Sequence, residues 1–198
     1  RGISRIKIDP AFCYNIAFAE TEQLAMITLL LGGARSGKSN RALSMEKAFF
    51  DQHVFIATSE KIDAEMSERI EIHRQERDQK WITVEAPVNL RSALKNVDTP
   101  NSLIVIDCLT VWLGNLMHYK HAVHTEVEHL IESLGTAKGD YILVSNEVGQ
   151  GIVPETKMAR EFRDHQGRVN QKIAALADRV ELVVAGIPLM IKSPNLKK

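Results

Sequence analysis

Two textures of hydrophobicity alternate along the chain. Short, nearly continuous apolar runs rich in β-branched residues occur at 26–31 (MITLLL), 53–58 (HVFIAT), 102–109 (SLIVIDCL), 140–146 (DYILVSN) and 179–186 (RVELVVAG), with 81–87 (WITVEAP) a further one. Runs that are apolar on successive residues, rather than on every second one, predict parallel strands covered on both faces. Between them lie stretches with helical spacing, over about 38–50, 63–79, 123–134 and 155–176. In the last of these, Met158, Phe162, Val169, Ile173 and Leu176 recur at intervals of three, four and seven, giving one apolar stripe with Arg160, Arg163 and Lys172 off it. Strands alternating with helices predict an α/β fold, a mostly parallel sheet with helices on both faces. No repeat, low-complexity tract or linker interrupts the pattern, and residues 26–198 are expected to form a single domain. Residues 1–25 have weak periodicity and lack a signal-peptide pattern; they read as an N-terminal arm or extension of unknown role.

Composition narrows the range of partners. Lys+Arg and Asp+Glu both number 25, so there is no bulk electrostatic case for nucleic acid or an anionic membrane. The two cysteines, Cys13 and Cys108, lie at no metal-binding spacing; neither a disulfide scaffold nor a thiolate zinc site is expected, and a reducing cytoplasm is. No apolar run approaches the roughly 20 residues that span a bilayer.

The first apolar run leads directly into GGARSGKS, residues 32–39, which fits the phosphate-loop pattern G-x-x-x-x-G-K-[ST]. The context fits as well, a buried strand before it and a helix after. In such a loop Gly32, Gly33, Ala34, Arg35, Ser36 and Gly37 bring main-chain N–H groups close to phosphate. Lys38 reaches the β- and γ-phosphates, and the Ser39 hydroxyl is the expected Mg²⁺ ligand. The pattern therefore predicts nucleotide binding in a phosphate-loop NTPase-like fold. Arg35 either touches phosphate or forms a surface ion pair.

Two further strands end in acids. Asp107 closes SLIVID and reads as a metal or nucleotide contact, against the alternative of a helix cap. Asn146 and Glu147 follow YILVS and either orient or activate a substrate hydroxyl, or tether a glycine-containing loop. The segment DAEMSERIEIHRQERDQKW poses a similar choice. Met66, Ile70 and His73 share one helical face, while Arg69, His73 and Arg77 lie on an adjacent stripe. His73 is then either a boundary histidine or a nucleophile toward phosphorus supported by arginines. His118, His121, His124 and His129 lack partners at metal-ligand spacing, and Trp81 and Trp112 read as packing residues.

GGARSGKS, FIATSE, DAEMSERIEIHR, WITVEAP, IVIDCLTVWLGN, SNEVGQGIVPE and REFRDHQGRVNQ, in that order, resemble the bifunctional adenosylcobinamide kinase/adenosylcobinamide-phosphate guanylyltransferase family of cobalamin biosynthesis. The resemblance runs from about residue 26 to 192. The phosphate-loop pattern gives Lys38 a catalytic role on the transferred phosphoryl group, and the resemblance implies that His73 carries GMP. It implies guanine-nucleotide contacts at Thr58, Ser59, Glu60, Arg74, Gln75, Glu76, Arg77, Glu85 and Asp107. It further implies GTP and ATP as substrates, adenosylcobinamide and its phosphate as acceptors, and a homo-oligomer, typically a trimer, while the loop and strand-end readings give Mg²⁺ held by Ser39 and Asp107. Two features depart from the family pattern: the 25 residues before Met26, and Asp78 where the family often has proline.

Overall fold

The computed structural model describes residues 25–46, 49–60 and 80–194. Its elements in chain order are β1 (Ile27–Gly32), α1 (Lys38–Ser44), β2 (Gln52–Ala57), β3 (Trp81–Glu85), α2 (Leu90–Val97), β4 (Ser102–Asp107), α3 (Leu109–His118), α4 (Val123–Gly135), β5 (Asp140–Asn146), α5 (Lys157–Leu176), β6 (Arg179–Val184) and β7 (Ile187–Lys192). The strands form one seven-stranded sheet in the order β3-β2-β4-β5-β1-β6-β7. Every pairing is parallel except β6 with β7.

The continuous apolar runs have the cause expected of them. Successive side chains leave a strand on opposite faces, so a strand covered on both sides needs an apolar residue at every position. Leu29, Val54, Ile56, Ile104, Ile106 and Leu143 face α2, α3, α4 and α5, where they meet Leu90, Leu94, Trp112, Leu130 and Ile173. Their chain neighbours Leu30, Phe55, Val105, Ile142 and Val144 face the other way, against Ala42 of α1. Each such aliphatic side chain contributes about 1.5–3 kcal/mol by leaving water.

The chain reverses direction across the sheet at β1, which has β5 on one side and β6 on the other. At such a switch point a crevice opens beyond the carboxyl ends of the strands. The phosphate loop follows β1 there, as the expected strand-loop-helix order requires.

Six expected strands are present, and α1, α4 and α5 fall where helical spacing placed them, α1 ending at Ser44 rather than near residue 50. The helix expected over 63–79 lies outside the described residues. Three elements were not anticipated. Helix α2 has only two turns, and α3 (LTVWLGNLMH) is so uniformly apolar that it reads as more of the preceding strand, which ends at Asp107. Strand β7 follows the two-residue turn Ala185–Gly186, both at positive φ (51° and 80°), which suits the twist of a hairpin. Alanine at positive φ is a weak turn signal, and the exposed β7 side chains show no alternation.

Charged side chains tie the base of this sheet. Asp140 Oδ1 accepts from Met26 N at 2.9 Å, and Asp178 Oδ2 from Ile27 N at 3.1 Å. Glu181, buried on β6, accepts from Arg41 Nε at 2.8 Å and Nη2 at 3.0 Å, and also pairs with Arg179.

Candidate functional site at the carboxyl ends of the strands

The phosphate loop is built by close approaches that exclude side chains. A Cβ on Gly32 would lie 2.4 Å from Val183 O and 2.6 Å from Ser36 Oγ, and one on Gly37, at φ 98°, would lie 3.1 Å from Gly186 Cα. The turn between β6 and β7 is fastened to the loop, Gly186 N donating to Ser36 O at 2.8 Å. Gly33, Ala34 and Arg35 are exposed at the apex, with Arg35 at φ 56°. Ser39 is half-buried on the first turn of α1.

Lys38 is 6% exposed, and its Nζ turns back over the loop to donate to Gly33 O at 2.7 Å and Ser36 Oγ at 3.5 Å. Burial lowers its pKa, and the nearby Cys108 and Asp107 partly offset that effect. An ammonium whose acceptors among the described residues are neutral, in a partly desolvated cradle, is suited to receive an anion. The Cys108 thiol is pushed up to about 11 by burial and by Asp107, so it stays protonated at neutral pH and is a poor nucleophile.

Asp107 ends β4 beside this lysine, half-buried, followed by a cis peptide bond to Cys108. Asn146 and Glu147 end β5, and Glu147 N donates to Gly32 O at 3.1 Å, which fastens that strand end to the loop. Glu147 Oε1 accepts from Gly149 N at 2.9 Å. Asn146 N donates to Thr110 Oγ1 at 2.7 Å, and its carbonyl accepts from Asn170 Nδ2 at 3.1 Å.

The structure thus gathers Gly32–Ser39, Asp107, Asn146 and Glu147 at the carboxyl ends of β1, β4 and β5. Glu60 and Glu85 belong to a second group, the rim of a hollow of about 530 Å³ shared with Asn89, Asn96, Tyr119 and His121. Tyr119 Oη donates to Glu60 Oε2 at 2.8 Å. Thr58 sits behind both groups, fully buried: its Oγ1 accepts from Cys108 N and donates to Cys108 O, each at 2.8 Å. Asn115 Nδ2 spans Thr58 O and Pro87 O, so β2, β3 and α3 are locked together beneath the hollow. Ser59 lies half-buried between Thr58 and Glu60. His73, Arg74, Gln75, Glu76 and Arg77 lie outside the described residues.

The donor set fits Mg²⁺. A hydroxyl (Ser39) and a carboxylate (Asp107) are hard oxygen donors, and a cation carried by phosphate needs only one or two from the protein. No cluster of three or more His, Cys, Asp or Glu able to hold a metal occurs among the described residues.

Reasoning from the sequence passed over Asn170, Gln166 and Thr110. The signal was present in α5: Gln166 and Asn170 share the buried face of the helix with Val169 and Ile173 and are 0% and 6% exposed. A polar residue on a buried helix face needs a partner, and here the partners lie at the end of β5.

A glycine-built loop around a buried lysine, at the switch point of a parallel sheet, defines a phosphate-loop nucleotide-binding protein. Two solved structures share this fold at low identity. The ATPase EscN of the enteropathogenic E. coli type III secretion system has a TM-score of 0.54 at 11% identity, covering 81% of this chain and 43% of that one. PH0250 from Pyrococcus horikoshii OT3 has a TM-score of 0.51 at 11% identity, covering 85% and 86%.

The family model for cobinamide kinase / cobinamide phosphate guanyltransferase (CobU) matches residues 28–191, and the chain belongs to that family. It is 40% identical over 182 residues to the bifunctional adenosylcobalamin biosynthesis protein CobU of Escherichia coli K12, covering 84% of this chain and all of the relative. It is 39% identical over 173 residues to the protein CobP of the same description from Pseudomonas aeruginosa, covering 86% of this chain and all of that relative. No helix among the described residues is long and apolar enough to cross a membrane.

Proposed function

We propose that one phosphate cradle serves two reactions. In the first, the hydroxyl oxygen of adenosylcobinamide attacks the γ-phosphorus of a nucleoside triphosphate, forming the new P–O bond as the nucleoside diphosphate leaves. Lys38 and the loop N–H groups neutralise charge on the transferred phosphoryl group. Glu147, with Asn146, orients the attacking hydroxyl and takes its proton. Ser39 and Asp107 would hold Mg²⁺, which when bound draws negative charge off the phosphate oxygens.

In the second reaction a ring nitrogen of His73 attacks the α-phosphorus of GTP and pyrophosphate leaves. The resulting phosphoramidate passes GMP to an oxygen of adenosylcobinamide phosphate. Arg74 and Arg77 clamp the phosphate oxygens, with Gln75 and Glu76 beside them. Glu60 and Glu85 face the guanine side of the nucleotide, where carboxylates can accept from its ring and exocyclic N–H groups. Thr58 and Ser59 shape the floor between them.

The observation that carries this reading is the buried Lys38, folded against its own loop and flanked by the strand ends bearing Asp107 and Glu147. Family membership supplies the acceptor. We place the enzyme in the cytoplasm as a homo-oligomer, a trimer on the family pattern. The exposed edge strand β7, with Ile187, Leu189 and Ile191 uncovered, is the joining surface.

The test is cobinamide-dependent consumption of GTP labelled in turn at the γ and α positions. γ-Label should move to cobinamide, and α-label should be retained on the protein as an acid-labile, base-stable adduct. Replacing His73 with alanine should abolish α-label retention and leave γ-transfer measurable. Turnover indifferent to cobinamide would overturn the proposal, and absence of retained α-label would reduce the enzyme to a simple kinase.

A further inference from the structure

We infer that Thr110 and Asn170 are positioning residues for the phosphoryl acceptor: they hold the main chain at Asn146 and so set where Glu147 stands against the phosphate cradle. The inference rests on the proposed role of Asn146 and Glu147 and names what fixes them.

Three consecutive main-chain polar groups at the end of β5 are held by three different elements. Asn146 N–H goes to Thr110 Oγ1 of α3 at 2.7 Å, Asn146 C=O receives Asn170 Nδ2 of α5 at 3.1 Å, and Glu147 N–H goes to Gly32 O of β1 at 3.1 Å. A strand end that merely turned into a loop would offer these groups to water. Thr110 stands three residues after Asp107, so the helix start that follows one site carboxylate grips the strand end that carries the other.

Asn170 is itself fixed from behind. Its Oδ1 accepts from Ser145 Oγ at 2.6 Å and from Gln166 Nε2 at 3.0 Å, and Gln166 Nε2 also donates to Ser145 Oγ at 2.8 Å. With the amide oxygen claimed on one side, the NH₂ group must face Asn146 O. Ser145 and Gln166 are fully buried and Asn170 nearly so. The three polar side chains meet at a face of α5 that Val169 and Ile173 otherwise make apolar, and among the described residues Gln166 Oε1 has no hydrogen-bond partner. Three buried side chains bonded to one another directly behind a site residue are what a rigid second layer of support looks like.

Thr110 and Asn170 hold the acceptor end through groups that are not part of the nucleotide cradle, which gives a test that a merely structural role would fail. Thr110→Val removes the acceptor for Asn146 N with little change of volume, Thr110→Ser restores it, and Asn170→Ala removes the donor to Asn146 O. γ-Label transfer from GTP to cobinamide, α-label retention on the protein and the melting temperature are measured for each variant.

Thr110→Val and Asn170→Ala should lower kcat for phosphoryl transfer about tenfold to a hundredfold, the range expected when a reacting group is misplaced by an ångström or less. KM for GTP and the rate of α-label retention should not change, and Thr110→Ser should recover kcat. Loss of both activities in step with the melting temperature would overturn the inference. So would wild-type phosphoryl transfer in both variants. If Asn170→Ala does not fold, the Thr110→Val and Thr110→Ser pair decides alone. A wild-type chain inert toward cobinamide overturns the proposed function, and this inference with it.

Discussion

Lys38 and Arg41 lie three residues apart on the same short helix, both carry a positive charge, and they are satisfied in opposite ways. Arg41 meets the buried carboxylate of Glu181 through two nitrogens, and that hydrogen bonding raises the arginine pKa and lowers that of the glutamate. Among the described residues Lys38 donates to a carbonyl and a hydroxyl of its own loop, and burial lowers its pKa. Arg41 is therefore paired with a carboxylate beneath α1, whereas the Lys38 ammonium lies in the cradle, placed to receive an incoming anion. The same division runs along the strands. At their amino ends Asp140 and Asp178 bind the main chain at the start of β1, while at their carboxyl ends Asp107, Asn146 and Glu147 lie beside the phosphate loop. Stability and chemistry are assigned to opposite ends of one sheet, one helical turn apart on α1.

The division can be attacked from either side. Gly32→Ala should have the largest effect. Its Cβ would overlap the main-chain oxygen of Val183 and force the loop away from β6, so nucleotide binding measured by calorimetry should weaken by about a hundredfold or more. Next is Glu181→Gln, which leaves Arg41 and Arg179 without a counter-charge. Urea unfolding should show a loss of about 3 kcal/mol, with turnover per folded molecule unchanged. If turnover fell instead, the two roles would not be separable.

The same variant should change the response to acid. The two arginines hold the Glu181 pKa below the ordinary carboxylate value of about 4.3, so its contribution is complete above that pH and is lost as pH falls through the depressed value. As pH falls below the ordinary carboxylate value of about 4.3, Glu181→Gln should therefore lose less stability than the parent chain, as followed by thermal melts. The smallest effect belongs to Thr156, whose Oγ1 caps α5 by accepting from Ala159 N at 3.2 Å. Thr156→Ala should cost about 1 kcal/mol and leave turnover intact.

How much of this was legible in the sequence differs between elements for physical reasons. The phosphate loop and the strand-end acids could be read directly, because a loop that cradles phosphate needs glycine and lysine at fixed spacing. The topology then brings strand ends together whatever else the chain does. Helix α3 escaped because its residues are apolar nearly all round, with Leu109, Trp112, Leu113 and Leu116 buried, and periodicity carries no signal there. Strand β7 escaped because its edge position leaves it without the one-sided burial that produces alternation.

The positioning residues escaped for a third reason. Thr110, Gln166 and Asn170 act through hydrogen bonds between elements distant in sequence, 21 to 36 residues apart, and only the packed fold brings those groups together. Thr58 shows the converse. It sits within the FIATSE motif that the family resemblance assigned to nucleotide contacts, and the structure places its hydroxyl inside the floor of the site.

The claim that one cradle serves both reactions is tested most directly by replacing Lys38 with alanine and measuring γ-label transfer to cobinamide and α-label retention on the protein in parallel. Both rates should fall together, by about a hundredfold to a thousandfold, as expected when a cation facing developing phosphate charge is removed. The melting temperature should be no lower than that of the parent chain, because a desolvated charge has been relieved. Loss of one activity with the other at the parent rate would mean two separate nucleotide sites and would contradict the account.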